Sequence, residues 1–290
     1  MNDYIILTDS SCDLPASIAQ EKGIEYVPLT VLMEGSEYRN ELDWREIGVH
    51  EFYEKLRSGV PAQTSAPTVH EFKERIAAAC ESGKDVLYLG FSSALSGTFN
   101  AGHQAMESLK ETYPDRKLLA VDTLCASLGP GLMVLLAQRK KDAGASIEEV
   151  AEYVEQNKLH LCHWFTMPDL EHLRRGGRVS GVSAVVGTLL NIRPVMHVNN
   201  LGELKYVSKT RGQRAVFQRF IERVRETGIE PEKQLMCISH GDDEASALQL
   251  RDMVQSAFGV KDVVIGPVGP VIGAHSGPGT IAFFFLGTER

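Results

Sequence analysis

The sequence predicts an α/β protein of two domains, an N-terminal domain with a parallel sheet and a C-terminal domain with a mixed or antiparallel sheet. In the first part of the chain, short apolar runs alternate with stretches of helical period, which is typical of βαβ units. After about residue 160 the pattern changes to a hairpin signal followed by further apolar runs. Hydrophobic residues make up 43% of the 290-residue chain and charged residues 23%, which is ample material for a core.

The N-terminal domain is predicted to cover residues 1–160. Thr68 and Ser146 are each followed three residues later by glutamate, a capping-box pattern that marks two helix starts. The apolar and helical periods predict strands at Tyr4–Thr8, Glu25–Met33, Asp85–Gly90 and Lys117–Asp122, and helices near 15–22, 44–57, 69–82, 97–112 and 128–143.

The C-terminal domain is predicted to cover residues 161–290. Pro194–Val198 and Leu204–Ser208 flank the turn-rich tetrapeptide Asn199–Gly202, which predicts a β-hairpin. Three further strands are predicted at Gln234–Ser239, Asp262–Pro267 and Ile281–Leu286, with helices near 212–227 and 243–257. A hairpin among such strands favours a mixed or antiparallel sheet.

Composition excludes several classes of function. A net charge of -8 argues against nucleic acid as the main partner. No apolar run approaches the roughly 20 residues that span a bilayer, and no signal-peptide pattern opens the chain, so we expect a cytoplasmic protein. The five cysteines are scattered without a C-x-x-C pair, which predicts buried free thiols. The sequence lacks metal-binding motifs, and we expect no metal or other cofactor.

A hydroxyl-rich turn follows the predicted strand Asp85–Gly90. It contains Ser93, Ser96, Gly97 and Thr98, more hydroxyl groups than one helix cap requires. A strand that enters a helix through such a turn directs N–H and O–H groups at one point, which suits an anion. The turn is neither a P-loop nor a G-x-S-x-G nucleophile elbow. We therefore regard Ser96 as a candidate ligand contact.

Two further segments carry candidate ligand contacts. Thr64 and Ser65 precede the helix that Thr68 caps, and the pattern assigns them no structural role. A late glycine- and proline-rich run, Gly266–Gly279, is predicted to be a loop and contains His275, which can hydrogen-bond a carboxylate.

Three other segments have a structural and a functional interpretation. The loop Thr8–Pro15 lies at a strand's carboxyl end, where ligands bind, but we favour helix capping by Asp13. The basic run Leu170–Ser180 is either a cationic helix end with a glycine stop or a site for an anion or a partner. The apolar stretches Val185–Leu190 and Ala282–Leu286 form core, or line a pocket if an apolar ligand is bound.

Taken together and in this order, these segments resemble the DegV family of bacterial fatty-acid-binding proteins over nearly the whole chain. The segments that carry the resemblance are Thr8–Pro15, Thr64–Pro67, Ser92–Thr98, Asp122-Thr123, Leu173–Ser180 and Gly273–Gly279. Thr68 stands where the family pattern would have serine, but threonine caps a helix equally well.

The resemblance implies a two-domain α/β protein that encloses one long-chain fatty acid between its domains. Thr64, Ser96 and His275 would bind the carboxylate, with Ser65, Ser93, Gly97 and Thr98 as further ligand-loop candidates.

The resemblance also implies that the chain is not an enzyme by itself but the binding subunit of a fatty acid kinase. A separate ATP-dependent kinase would convert the bound acid to an acyl phosphate that feeds phospholipid synthesis. Arg178 and Arg211 are candidates for the kinase-docking surface, and transient membrane contact would serve lipid exchange.

The residues leave open a second class of function, a serine hydrolase or acyltransferase that acts on a lipid ester. Ser96 or Ser93 would be its nucleophile, His275 its base, and Asp9 or Asp122 the group that orients the base. A kinase or phosphatase that acts alone is a third possibility.

Overall fold

A computed structural model describes residues 3–168, 170–179 and 191–290. In chain order its strands are β1 (Tyr4–Asp9), β2 (Glu25–Val27), β3 (Thr30–Met33), β4 (Ser36–Arg39), β5 (Ala62–Ser65), β6 (Asp85–Gly90), β7 (Leu118–Asp122), β8 (Leu161–Thr166), β9 (Ile192–Val198), β10 (Leu204–Arg211), β11 (Leu235–His240), β12 (Asp262–Pro267) and β13 (Ile281–Leu286). The helices are α1 (Ala16–Glu21), α2 (Val49–Arg57), α3 (Val69–Glu81), α4 (Thr98–Leu109), α5 (Leu128–Asp142), α6 (Ile147–Asn157), α7 (Glu171–Gly176), α8 (Gln213–Thr227), α9 (Glu244–Phe258) and α10 (Pro270–Ser276).

The N-terminal part contains the predicted parallel sheet, with strand order β2-β1-β6-β7. Every residue of β1 and of β6 is buried, as expected of central strands that helices cover on both faces. The carboxyl ends of β1 and β6 lead directly into the Ser10–Cys12 turn and the Ser92–Gly97 turn. Two of the hydroxyl-rich segments therefore meet at one edge of this sheet.

A second, antiparallel sheet of order β4-β3-β5 was not predicted. The single strand expected over Glu25–Met33 is wrong, because the chain breaks at Pro28-Leu29 into β2 and β3, which belong to different sheets. Proline removes a backbone donor and disfavours a continuous central strand. The short polar strands β4 and β5 lack the apolar alternation that would have revealed them.

The C-terminal part contains a mixed sheet of order β10-β9-β8-β13-β11-β12, as predicted. Only the β11–β12 pair is parallel among its described pairings, and the others are antiparallel. The predicted hairpin is β9–β10, with Asn199–Gly202 in its turn. The strands β12 and β13 have the predicted bounds.

One hydrophobic cluster contains side chains from both halves of the chain, including Ile6 and Leu132 from one half and Met196 and Phe284 from the other. Two other clusters lie each within one half, one among residues 5–118 and one among residues 162–285, but because the first cluster spans both halves the division at residue 160 remains a prediction. Both capping boxes are present: Thr68 with Glu71 and Ser146 with Glu149.

The expected helix cap at Asp13 is wrong. The residue before α1 is Pro15, without a side-chain cap, and Asp13 has a left-handed backbone conformation with a φ of 52°. Its fully buried carboxyl group accepts hydrogen bonds from the Ser127 hydroxyl (2.5 Å) and from the Gly269 N–H (3.0 Å). Asp13 therefore connects the first strand-end loop to the N-termini of α5 and α10.

The predicted loop over Gly266–Gly279 is also corrected, because residues 270–276 form α10. Pro270 begins the helix at a position where its missing N–H is not needed. A Cβ at Gly273 would lie 2.6 Å from the Tyr53 hydroxyl oxygen, so glycine here permits close packing against α2 rather than a flexible loop.

Two sequence-based assignments lie outside the described residues: Ser180 in the basic segment and the apolar stretch Val185–Leu190. Within the described ranges, none of the helices combines the length and apolar character needed to cross a bilayer.

Replacing Asp13 tests its connecting role. Burial raises the pKa of Asp13 to about 8, so between about pH 4 and pH 8 the folded state holds a proton that the unfolded state releases. This linkage makes the stability fall as the pH rises through that range. We expect Asp13→Asn to remove that component of the pH dependence, and Asp13→Ala to lower the unfolding free energy by about 2 to 3 kcal/mol by leaving buried donors unpaired.

The measurement is urea unfolding at pH 5 and pH 8, with the exposed Asp115→Asn as the control. An Asp13→Ala protein as stable as the wild type would show that Asp13 does not hold these segments together.

Candidate functional site

Thr64 and His275 meet at the mouth of a cavity although they are 211 positions apart in the sequence. Thr64 Oγ1 and His275 Nε2 are 2.9 Å apart. Alternation along β5 turns Thr64 inward, opposite the buried Val31 of β3, and His275 lies in the last turn of α10. With the proton on Nε2, the imidazole donates to Thr64 Oγ1, and the threonine O–H remains free to donate to a ligand.

Ser96 lines the same cavity from the turn between β6 and α4. Its Oγ accepts a hydrogen bond from the Thr98 N–H (3.3 Å) and lies 2.8 Å from Thr98 Oγ1. When the buried Thr98 hydroxyl donates to Ser96, the Ser96 hydroxyl hydrogen is free to donate to a ligand. The three predicted carboxylate contacts thus share one cavity, although no hydrogen bond joins Ser96 to Thr64 or His275 among the described residues.

The cavity as a whole has a volume of about 220 Å³, and most of its wall is apolar. Its described walls come from both sequence halves, and they include Leu29, Phe91, Phe165, Val271, Ala282 and Phe284. Ala282 and Phe284 are alternate residues of β13. They belong to the apolar stretch Ala282–Leu286, for which the sequence allowed two interpretations, and both line the cavity. A polar mouth above apolar walls suits a ligand with one charged end and a hydrocarbon body.

The electrostatic environment keeps His275 neutral. Burial, followed by the positive charge of Arg178, lowers the pKa of His275 to about 4. The other side of the ring faces Gly176, because a Cβ at that position would lie only 2.3 Å from His275 Nδ1. Gly176 at the end of α7 therefore leaves room for the imidazole to reach Thr64.

Arg178 lies at the cavity mouth. It lines the cavity, donates from Nη1 to the Gly176 carbonyl oxygen (2.5 Å), and places Nε 3.4 Å from the Leu95 carbonyl oxygen. The preceding segment has the expected structural features: α7 carries Arg174 and Arg175 in its last turn and ends at the left-handed Gly177. Arg211, by contrast, is an exposed residue at the end of β10 and does not line the described part of the cavity.

The secondary candidates separate into two groups. Ser65 and Gly97 line the cavity, whereas Ser93 is exposed and outside the described lining. The backbone N–H of Ser93 donates to Asp122, and Thr98 acts through Ser96 as described above. The remaining hydroxyl of the turn, on Ser92, donates to the Gly202 carbonyl oxygen and fixes the hairpin, a role that the sequence did not indicate.

The arrangement is not that of a serine hydrolase. His275 is paired with Thr64 rather than with Ser93 or Ser96 among the described contacts. Neither proposed orienting acid reaches the imidazole, because Asp9 accepts from Ser11, Tyr88 and the Phe91 N–H, and Asp122 accepts from backbone N–H groups. Without a serine–histidine pair the nucleophile lacks its base.

Sequence reasoning missed three polar residues of the cavity wall, Ser127, His163 and Thr280, and it named the loop that contains Ser11 without singling out that residue. Ser127 bonds Asp13 and lies 3.0 Å from Ser239 Oγ, so its hydroxyl is satisfied within the protein. No local motif marks Ser127, His163 or Thr280, because they come from a helix start, a buried strand and the segment before β13, which only the fold brings together.

Two other groups of residues have structural explanations. His50, Glu54 and Asp242 place possible metal-ligand atoms within 4.8 Å of one another. Arg57 Nη1 already contacts Glu54 (2.7 Å) and Asp242 (2.6 Å), so this is an ion-pair cluster that joins α2 to the loop after β11. All five cysteines are buried free thiols, as predicted.

Comparison with known proteins identifies the family of the chain. A family model described as an uncharacterised protein, DegV family, matches residues 4–288. The chain belongs to the DegV family. A Thermotoga maritima relative named as a fatty acid-binding protein is 36% identical over 290 residues, which is 98% of each chain.

Solved structures of DegV proteins have the same fold. A DegV family protein from Thermus thermophilus, described by its fatty acid binding, superimposes with a TM-score of 0.87 at 32% identity, over 99% of this chain and 100% of that one. The fatty acid kinase B3 protein of Streptococcus pneumoniae, loaded with linoleic acid, has a TM-score of 0.84 at 22% identity, over 98% and 99% of the two chains.

The packing of Gly176 against His275 gives a test of this DegV site. We expect Gly176→Ala to push the imidazole away from Thr64 and towards water, which would raise the His275 pKa towards its ordinary value of about 6.5. Titration of the histidine ring by NMR measures this change. Gly48→Ala is the matched control, because Gly48 has a φ of -67° and open space around the position of a Cβ. An unchanged His275 titration in Gly176→Ala would contradict the packing argument.

Proposed function

We propose that this DegV protein binds one long-chain fatty acid in the cavity and presents its carboxylate to a separate ATP-dependent kinase. The Thr64–His275 hydrogen bond at the mouth of an apolar cavity carries the proposal. Thr64 and Ser96 each retain a hydroxyl hydrogen for the carboxylate, and His275 orients Thr64.

The hydrocarbon tail supplies most of the affinity. Each methylene that leaves water for the apolar walls contributes about 0.8 kcal/mol. A carboxylate buried without partners would cost several kcal/mol, and in this proposal Thr64, Ser96 and His275, which line the same cavity, supply those partners. The fatty-acid-binding relatives of similar sequence support this assignment.

The head-group arrangement leaves the acid available as a phosphoryl acceptor. A neutral His275 and two hydroxyl groups stabilise the carboxylate without neutralising it, so its oxygen remains nucleophilic. Arg178 at the mouth provides a positive charge close to where a phosphoryl group would arrive. The sequence has no G-x-x-x-x-G-K-[ST] phosphate loop, so in this proposal the nucleotide is bound by the kinase.

The proposal gives Arg178 and Arg211 the role of kinase contacts, and the protein itself no catalytic activity. The structural likeness to the fatty acid kinase B3 protein supports a common fold. A cytoplasmic location agrees with the five unpaired thiols, and brief contact with a membrane would allow lipid exchange.

Head-group variants test the binding site. We expect Ser96→Ala and His275→Ala each to weaken fatty acid binding about tenfold, since each removes a hydrogen bond to a charged group or the residue that orients one. Displacement of a fluorescent fatty acid by oleate measures the affinity, and mass spectrometry after denaturation identifies the lipid that co-purifies. Ser108→Ala, at the far end of α4, is the control. Wild-type affinity in both head-group variants would exclude this site.

Arginine variants test the transfer step. We expect Arg178→Ala and Arg211→Ala to bind oleate within about threefold of the wild type, because the tail dominates affinity. Both should lose most acyl phosphate formation in a coupled assay with the kinase, since exposed cations position a charged partner. Arg219→Ala, another exposed cation on α8, should be unaffected. Full coupled activity in both arginine variants would refute the docking assignment.

A further inference from the structure

His163 is a polar side chain of the cavity wall that the proposed function does not use. His163 on β8 lines the cavity and is only 2% exposed, and among the described residues neither of its ring nitrogens makes a hydrogen bond of good geometry, although the Leu161 backbone lies near enough to favour the protonated ring. The ring packs edge-on against Phe284 (centroid distance 5.4 Å, interplanar angle 82°). Buried imidazole nitrogens in proteins are normally paired, so this position needs an explanation.

The register of the C-terminal sheet places His163 far from the head group. His163 lies opposite Phe284 on β13, and Thr280, just before that strand, donates to the Ser276 carbonyl oxygen beside His275. Four residues of antiparallel strand separate Thr280 from Phe284, a length of about 14 Å at 3.4 Å per residue. A fatty acid whose carboxylate lies at Thr64 and Ser96 would therefore pass His163 with the middle of its tail.

The environment of His163 fixes what this residue can bind. Burial and the nearby charge of Arg290 lower its pKa well below the ordinary value, so the ring is neutral and carries one donor and one acceptor. One edge of the ring lies against Gly129 of α5, since a Cβ there would be 2.1 Å from Nε2. A half-turn about Cβ–Cγ exchanges Nε2 with Cε1 and brings this nitrogen to the opposite edge of the ring. A plain alkyl chain offers neither a donor nor an acceptor to it.

We propose that the cavity is selective for long-chain fatty acids that carry an oxygen substituent, a hydroxyl or an oxo group, on the part of the chain beside His163. This inference rests on the proposed function and names its substrate class. A ligand hydroxyl that enters the cavity loses its hydrogen bonds to water, and His163 replaces them. A site built around such a bond favours the substituted chain over one without it.

Competition binding with stearate and with its 3-, 10- and 12-hydroxy derivatives tests the inference. We expect wild-type protein to bind 10- or 12-hydroxystearate more tightly than stearate, and to bind 3-hydroxystearate more weakly than stearate. His163→Phe should retain stearate binding and lose about tenfold in affinity for the chain that the wild type prefers, since the hydroxyl would then be buried unpaired. His197→Phe is the matched control: this half-buried histidine also has an unpaired nitrogen, but it stacks on Trp164 and lies outside the described cavity lining.

Three outcomes would overturn the inference: a mid-chain hydroxyl that weakens binding to the wild type, a hydroxyl whose position has no effect on binding, or a preference that survives in His163→Phe. If neither stearate nor its derivatives bind to the wild type, the proposed function itself fails. If stearate binds but the position of the hydroxyl group has no effect on affinity, the proposed substrate class is wrong and the proposed function stands. The affinities of the wild type for stearate and for its 3-, 10- and 12-hydroxy derivatives test the proposed selectivity even if His163→Phe does not fold.

Discussion

The hydrogen bond between Thr64 and His275 is the contact on which the site depends. It joins a short strand of the N-terminal antiparallel sheet to a helix of the C-terminal half across the mouth of the cavity. Two glycines make this contact possible: Gly273 lets α10 pack closely on α2, and Gly176 leaves space for the imidazole. The neutral state of His275 follows from the same packing, because its burial and the adjacent Arg178 both disfavour a second proton.

The remainder of the structure supports this contact and the walls below it. The parallel sheet brings the turns after β1 and β6 to one edge, and the Asp13 carboxyl group ties the first of them to the helices that begin at Leu128 and Pro270. The mixed sheet supplies the apolar wall through alternate residues of β8 and β13. The polar mouth and the apolar body of the cavity are thus built by both halves of the chain together, which also share one hydrophobic cluster.

Local patterns predicted the elements whose signals are local. The apolar runs of β6, β12 and β13, the two capping boxes and the hairpin turn at Asn199–Gly202 are all present. The polar strand β5 and the helix α10 were missed, because a four-residue polar strand lacks hydrophobic alternation and glycine and proline usually mark loops. Asp13 has a sequence context typical of a cap, but its partners lie more than a hundred residues away.

The site itself was predicted only in part. The hydroxyl clusters and the family resemblance point to Thr64, Ser96, His275 and Arg178, which line one cavity, while their roles towards a ligand or a partner stay predictions. His163 gives no sequence signal, since a histidine within Leu161–Thr166 is indistinguishable from an ordinary strand residue until its missing partners are seen.

A crystal structure of the protein with oleate tests the central claim most directly. The account predicts the carboxylate oxygens within hydrogen-bond distance, about 2.5 to 3.0 Å, of Thr64 Oγ1 and Ser96 Oγ, with the tail running along β13 past Phe284. Oleate bound with its carboxylate elsewhere, or an empty cavity at saturating oleate, would contradict it.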